Sequence, residues 1–255
     1  MNFTVVIPAR YASSRLPGKP LADICGKPMV QHTWERAQES GAARILIATD
    51  DARIAEVAQG FGAEVCMTSA EHATGTDRLA EVAALEGFAN DAILVNLQGD
   101  EPAMPPQLLR QVAEDMDAHP DASVTTLNQR IQHAAELFDP HVVKTVMDAQ
   151  GYALYFSRAP MPWDRDAFAV TREDLRADAE HWRHLGVYAY RAGFLKRFAT
   201  WPLSPLEGME SLEQLRVLWQ GERIHCTAAT ESPGHGVDSP ADLERMRAWF
   251  TKQGA

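Results

Sequence analysis

The sequence has no excess of positive charge, no apolar run of membrane length and no cysteine pattern, and each absence removes a class of function. Its 24 Lys and Arg are outnumbered by 35 Asp and Glu, a formal net charge of -11. Nucleic acid and anionic membrane surfaces are therefore excluded as general partners. Any anionic ligand has to be met by a local cluster of cations or by a metal ion. No stretch approaches the roughly 18 apolar residues of a membrane span. The opening Met1-Asn2-Phe3-Thr4 leads straight into an apolar segment without the basic head of a signal peptide, so a cytoplasmic chain without membrane insertion is expected. Cys25, Cys66 and Cys226 are odd in number, scattered and without metal-ligand spacing, which suits buried thiols in a reducing compartment. There is no internal repeat, low-complexity tract, obvious linker or constellation for a covalent nucleophile.

What is present is an ordinary globular composition, 45% hydrophobic and 23% charged over 255 residues, enough for a large core. Apolar runs at Phe3-Thr4-Val5-Val6-Ile7, Ile45-Leu46-Ile47-Ala48, Glu64-Val65-Cys66-Met67 and Ala92-Ile93-Leu94-Val95-Asn96-Leu97 read as strands. Between them lie helical patterns, at Met29 to Glu39 (Val30, Trp34, Ala37) and after Asp51 (Ile54, Val57, Ala58). This alternation predicts βαβ units and a doubly wound α/β sheet, mixed but mostly parallel. A further helix follows Pro105-Pro106, and a strand covers Ser123 to Leu127. In the second half, Val142 to Met147 and Tyr152 to Phe156 flank Asp148-Ala149-Gln150-Gly151, a hairpin signal, so a smaller antiparallel part is expected. Thr171 to Arg183 reads as a solvent-facing charged stretch, His184 to Tyr190 as a strand, Leu212 to Trp219 as a helix with Glu210, Glu213 and Gln214, and Ile224 to Thr227 as a last strand. Ser239, Pro240 and Asp242 make a helix start with a capping box.

Four local features stand out. Residues 1 to 22 hold Arg10, Arg15 and Lys19 and no acid before Asp23, against the charge of the rest. With Ser13, Ser14 and Gly18, this loop follows the first strand, at the sheet edge where α/β proteins bind ligands; it reads as a polyphosphate cradle or as a solvated basic loop. Thr74-Gly75-Thr76-Asp77-Arg78 opens a helix and offers free N-H donors; taken alone it is an ordinary start capped by Thr76 or Asp77, with Arg78 on the surface. Gln98-Gly99-Asp100-Glu101-Pro102 follows the strongest buried strand, where one carboxylate can serve Mg²⁺ or simply form an acidic turn. Asp238 sits just ahead of the last helix, where its charge favours the helix dipole.

With these pieces placed, the chain resembles the 3-deoxy-D-manno-octulosonate (Kdo) cytidylyltransferases. The matching segments are Pro8 to Leu21, Thr74 to Arg78, Gln98 to Pro102, Tyr155 to Arg165, His184 to Arg191, Leu212 to Arg216 and Gly236 to Glu244; their order and spacing carry the resemblance over essentially the whole chain. It departs from the family conservatively, with Thr for Ser in the TGTDR run and VDSPADL for VDTPEDL. The resemblance implies the nucleotide-diphospho-sugar transferase fold as a single domain over 1–255, with 1–127 mainly nucleotide-binding and 128–230 contributing sugar-binding and homodimer elements. It implies transfer of CMP from CTP to Kdo with release of pyrophosphate, for lipopolysaccharide assembly. By the same resemblance Asp100 and Asp238 converge on Mg²⁺, and Arg10, Lys19, Asp100 and Asp238 form the catalytic set. Pro8, Ala9, Arg10, Ser13, Arg15, Lys19, Thr74 and Gly75 bind the nucleotide, and Arg78, Gln98, Arg165, His184, Tyr188, Glu213 and Gln214 bind Kdo. A related enzyme for another acid sugar, such as a sialic acid, and a non-catalytic nucleotide-binding protein are the competing readings. A glycosyltransferase of similar fold would carry Asp-x-Asp where this chain has Gly99-Asp100-Glu101.

Overall fold

In the computed structural model, which describes residues 1–12, 16–72 and 74–254, the strands are β1 (Phe3–Ala9), β2 (Asp23–Ile24), β3 (Lys27–Pro28), β4 (Arg44–Thr49), β5 (Glu64–Met67), β6 (Ile93–Asn96), β7 (Val124–Arg130), β8 (Lys144–Met147), β9 (Ala153–Ser157), β10 (Trp182–Arg191) and β11 (Ile224–Ala228). The helices are α1 (Met29–Glu39), α2 (Ala52–Gly60), α3 (Gly75–Leu85), α4 (Pro106–Ala118), α5 (Ala134–Phe138), α6 (Ala192–Phe198), α7 (Pro205–Glu210), α8 (Gln214–Trp219) and α9 (Pro240–Gln253).

The main sheet runs β11-β7-β10-β6-β1-β4-β5, and β8 joins β10 to β9 at its side. Along that path β10 alone is reversed, antiparallel to both β6 and β7, while β1 pairs in parallel with β4 and β6. The expected mixed, mostly parallel sheet with a smaller antiparallel hairpin is what forms. β1 is apolar on both sides because helices cover both faces. Val5 and Ile7 pack with α1, α2 and α4, whereas Val6 points into the opposite layer with α3, α6 and α8. All three are fully buried, each worth about 1.5–3 kcal/mol relative to exposure.

Two elements were placed differently by the sequence pattern. The segment Leu212 to Trp219 does not form one helix with Glu210: α7 ends at Glu210, Ser211 adopts a left-handed conformation at φ 52°, and α8 begins at Gln214. The cap of α3 is Thr74, not Thr76 or Asp77; its hydroxyl accepts the Asp77 N-H at 3.2 Å. α9 starts at the expected capping box of Ser239 and Asp242. It packs through Leu243, Met246 and Phe250 on Ile24, Met29 and Val237, which fixes the segment leading into it.

Candidate active site

Three chain segments far apart in sequence meet at the C-terminal ends of β1 and β6. β1 delivers Pro8 and Ala9 and leaves Arg10 exposed beyond the edge. The loop returns through Gly18, whose φ of 69° requires the freedom of glycine and whose N-H donates to the Tyr11 carbonyl at 3.1 Å. Lys19 follows at the start of a short 3-10 turn. From β6 the chain passes Gly99, where an added Cβ would lie 2.9 Å from the Pro8 carbonyl oxygen; only glycine lets Asp100 come this close to β1. The third segment is held by buried Val237, whose N-H donates to the Asp100 carbonyl at 2.9 Å.

The consequence is a shared cation. Lys19 Nζ donates to Asp100 Oδ2 at 2.5 Å, to the Val237 carbonyl at 3.0 Å and to Asp238 Oδ1 at 3.4 Å. Asp100 and Asp238, expected to meet around Mg²⁺, are brought to one ammonium. Glu101 stands behind them and was missed as part of the site. Burial first, then the charges of Asp100 and Asp238, push its carboxyl up to about 8, with Lys19 acting in the other direction.

These residues open onto a cleft of about 380 Å³ lined by Pro8, Ala9, Arg10, Lys19, Thr74, Gly75, Arg78, Gln98, Asp100 and Asp238, with His72, Pro20 and Gly99. Gly75 begins α3, so free backbone N-H groups of its first turn lie at the cleft wall. Arg78 is buried rather than on the surface: it donates to the Thr68 hydroxyl and lies 3.4 Å from Asp50 Oδ1. His72 was not foreseen. Its Nε2 lies 2.5 Å from Glu81 Oε2, two turns into α3, and no local sequence spacing announces that contact.

The proposed sugar residues divide. Arg78 and Gln98 line the cleft itself. Tyr188, Glu213 and Gln214 line a narrow adjoining pocket with Thr76 and Tyr190. Glu213 links the two, accepting from the Thr74 hydroxyl at 2.7 Å and the Thr76 hydroxyl at 3.1 Å; burial raises its carboxyl above the ordinary range. His184 sits beside Tyr188 with Nε2 2.9 Å from the Thr126 hydroxyl. Burial lowers its imidazole to about 3, so the ring is neutral. Arg165 is not brought to the cleft: its side chain is 87% exposed and pairs with the adjacent Asp166. Ser13 and Arg15 lie outside the described residues.

The oxygen donors suit a hard divalent cation. Asp100, Asp238 and the Val237 carbonyl already surround one ammonium, and Mg²⁺ asks for one or two carboxylates beside phosphate oxygens. The donor set contains no sulfur or imidazole.

A family model described as cytidylyltransferase matches residues 4–224. The chain is 59% identical over 245 residues to a 3-deoxy-manno-octulosonate cytidylyltransferase of Pseudomonas syringae pv. syringae, covering 96% of each. A protein of the same name from Aeromonas hydrophila subsp. hydrophila is 58% identical over 253 residues, 97% of this chain and 98% of that relative. Among solved structures, a CMP:2-keto-3-deoxy-manno-octonic acid synthetase complexed with CTP superposes with a TM-score of 0.89 at 43% identity, over 99% of this chain and all of that one. A nucleotidyl transferase from Methanothermobacter, at 16% identity and a TM-score of 0.61 over 99% of each chain, shares the fold.

Proposed function

The chain belongs to the cytidylyltransferase family, and we propose that it transfers CMP from CTP to the anomeric hydroxyl of Kdo, giving CMP-Kdo and pyrophosphate for lipopolysaccharide assembly. The observation that carries this reading is the meeting of Asp100, Asp238 and Lys19 at the mouth of a cleft lined by Arg10 and the first turn of α3.

The sugar hydroxyl attacks the α-phosphorus in line, and the β- and γ-phosphates leave. No covalent enzyme intermediate is needed; the protein positions the two anions and neutralises charge. Arg10 and Lys19 are assigned to the triphosphate, where their contacts strengthen as charge moves onto the leaving pyrophosphate. Pro8, Ala9, Thr74 and Gly75 offer backbone groups to the base and ribose. Asp100 and Asp238 would hold Mg²⁺, and a bound ion would supply charge neutralisation at the α-phosphate and a more acidic sugar hydroxyl. Arg78 is the cation placed to grip the Kdo carboxylate, and Gln98, Tyr188, Glu213 and Gln214 face the sugar hydroxyls, with neutral His184 behind them. Arg165 joins this set only through movement of its loop toward the cleft.

We further infer a homodimer formed through the hairpin half, where Leu154, Met209 and Trp219 expose apolar side chains, 62%, 75% and 54% accessible. Placement in the cytoplasm is supported by three unpaired thiols and by the lack, among the described residues, of any helix long and apolar enough to cross a membrane. The test is pyrophosphate release with CTP, Mg²⁺ and either Kdo or a sialic acid, in the parent and in Asp100→Asn. Turnover is expected with Kdo alone, and Asp100→Asn should bind CTP while losing turnover. Parent-rate turnover by Asp100→Asn would remove the metal role, and release with the sialic acid only would replace the sugar.

A further inference from the structure

On the edge of the sheet remote from this chemistry, the last turn of α4, β11 and the β8–β9 turn bring a second group of donors together. Asp115 and His119 lie four residues apart at the end of α4, and His225 comes from β11. One ligand atom from each falls within 4.8 Å of the others. His225 Nε2 is 3.1 Å from the Gln150 carbonyl, a contact that only an N-H can satisfy. Donation there leaves Nδ1 as a lone pair facing Asp115 Oδ2 at 2.8 Å. His119 Nδ1 lies 3.0 Å from the Asp115 carbonyl and 3.1 Å from Asp115 Oδ1, so by the same rule it carries the N-H and the lone pair of this ring is on Nε2. The His225 lone pair set against Asp115 Oδ2, with side chains only 9% and 7% exposed, requires a proton or a metal ion between the two. The negative end of the α4 dipole adds to that demand.

We propose that Asp115, His119 and His225 form a binding site for a first-row transition dication of the Zn²⁺ type, separate from the oxygen-only Mg²⁺ site at Asp100 and Asp238. Two imidazoles and a carboxylate are a donor set that such ions take and Mg²⁺ declines. The Gln150 carbonyl is the outer partner that fixes the His225 tautomer, as backbone carbonyls do for metal-bound histidines. The surrounding charges leave the three ligands available: Asp121 is engaged by the Tyr152 hydroxyl at 2.7 Å and by Arg223. The rings of His119 and His225 are stacked at 3.6 Å and 18°. His119, at the helix cap and 33% exposed, is the ring that turns to present its Nε2 lone pair and close the site, leaving a fourth position for water. An ion here would fasten the hairpin turn to the sheet, since Gly151 accepts from the Cys226 N-H at 2.9 Å beside the same ring.

The metal-stripped full-length protein is titrated with Zn²⁺ in excess Mg²⁺ by calorimetry, and with Co²⁺ by visible absorption, which is strong for four-coordinate nitrogen ligation and weak for an all-oxygen six-coordinate site. One tight Zn²⁺ equivalent and an intense Co²⁺ spectrum that Zn²⁺ abolishes are expected. His119→Ala, a surface change, should weaken binding by at least about tenfold, with circular dichroism and Mg²⁺-supported turnover unchanged. His225→Gln should lose the same equivalent. No nitrogen-ligated equivalent in the parent, or binding that survives His119→Ala, overturns the proposal.

Discussion

Lys19→Met keeps an unbranched stem in place and removes one charge, which separates two things the ammonium does. It occupies the oxygens a divalent ion would need, at 2.5 Å from Asp100 and 3.4 Å from Asp238, with side chains 14%, 32% and 57% exposed. Partly exposed ion pairs are worth about 0.2–1 kcal/mol each, and the 3.0 Å bond to the Val237 carbonyl adds about 1 kcal/mol. The ammonium thus holds the two acids by about 2 kcal/mol, a factor of about 30 in any competing equilibrium. Without nucleotide, Lys19→Met should therefore bind Mn²⁺ about 30-fold more tightly than the parent, read from the paramagnetic resonance signal of the free aqua ion. Turnover should move the opposite way, falling about 10²- to 10³-fold in a pyrophosphate-release assay as a donor to the leaving group is lost. Asp100→Asn supplies the control by losing Mn²⁺ altogether. Equal or weaker Mn²⁺ binding in Lys19→Met, or a rate within about threefold of the parent, would refute the shared-cation reasoning.

Three other perturbations test the frame around the cleft. Gly99→Ala places a Cβ 2.9 Å from the Pro8 carbonyl, so it should cost about 1–3 kcal/mol in urea unfolding and lower kcat/KM more than tenfold, on the order of what misplacement of a reacting group costs. Arg216 holds Glu207 through two bonds of 2.7 and 2.6 Å with both side chains under 10% exposed. Arg216→Met should lose about 3–5 kcal/mol by stranding that carboxylate, and pairing it with Glu207→Leu should recover most of the loss; a single-variant loss below about 1 kcal/mol would count against it. Burial keeps His184 neutral in the fold, at about 3, while the unfolded chain takes up a proton near its ordinary pKa of about 6.5. The unfolded state then binds more protons between those values, so this group removes stability as pH falls through that window, by at most about 1.4 kcal/mol per pH unit. His184→Gln should flatten that acid limb of the denaturation profile, and an unchanged limb would show that the ring is already solvated.

The sheet was legible because its cause is local. Val5, Val6, Ile7 and Leu94 announce buried strands, and Met29–Glu39 and the Ser239 cap fall where periodicity and capping chemistry place them. The breaks were less so. Nothing in Leu206 to Leu218 marks the left-handed turn at Ser211, because that turn is stabilised by the Arg216 to Glu207 pair, a contact made only after folding. Thr74 was overlooked as a cap because its competitors Thr76 and Asp77 have equal and greater intrinsic preference, respectively. Its choice is settled by Glu213, which arrives from another part of the chain to accept from both threonine hydroxyls.

The same distinction explains how much of the site could be read. Arg10, Lys19 and Asp100 lie in the segments that follow identifiable strands, so phosphate and metal stood among their readings before any contact was known. Asp238 had no such signal beyond its place before a cap; its meeting with Asp100 depends on Val237 being buried under α9 and bonding the Asp100 backbone. Glu101 was in view in the Gln98 to Pro102 turn, but nothing in that turn shows that it stands behind both other acids. A third carboxyl crowded behind Asp100 and Asp238 is tolerable because burial and those two charges raise it to about 8, so near neutrality it is mostly uncharged. The cluster then carries close to two negative charges against one ammonium. That residual negative charge, set beside hard oxygen donors and a triphosphate-sized cleft, is what a divalent ion would neutralise when nucleotide draws Lys19 toward its phosphates.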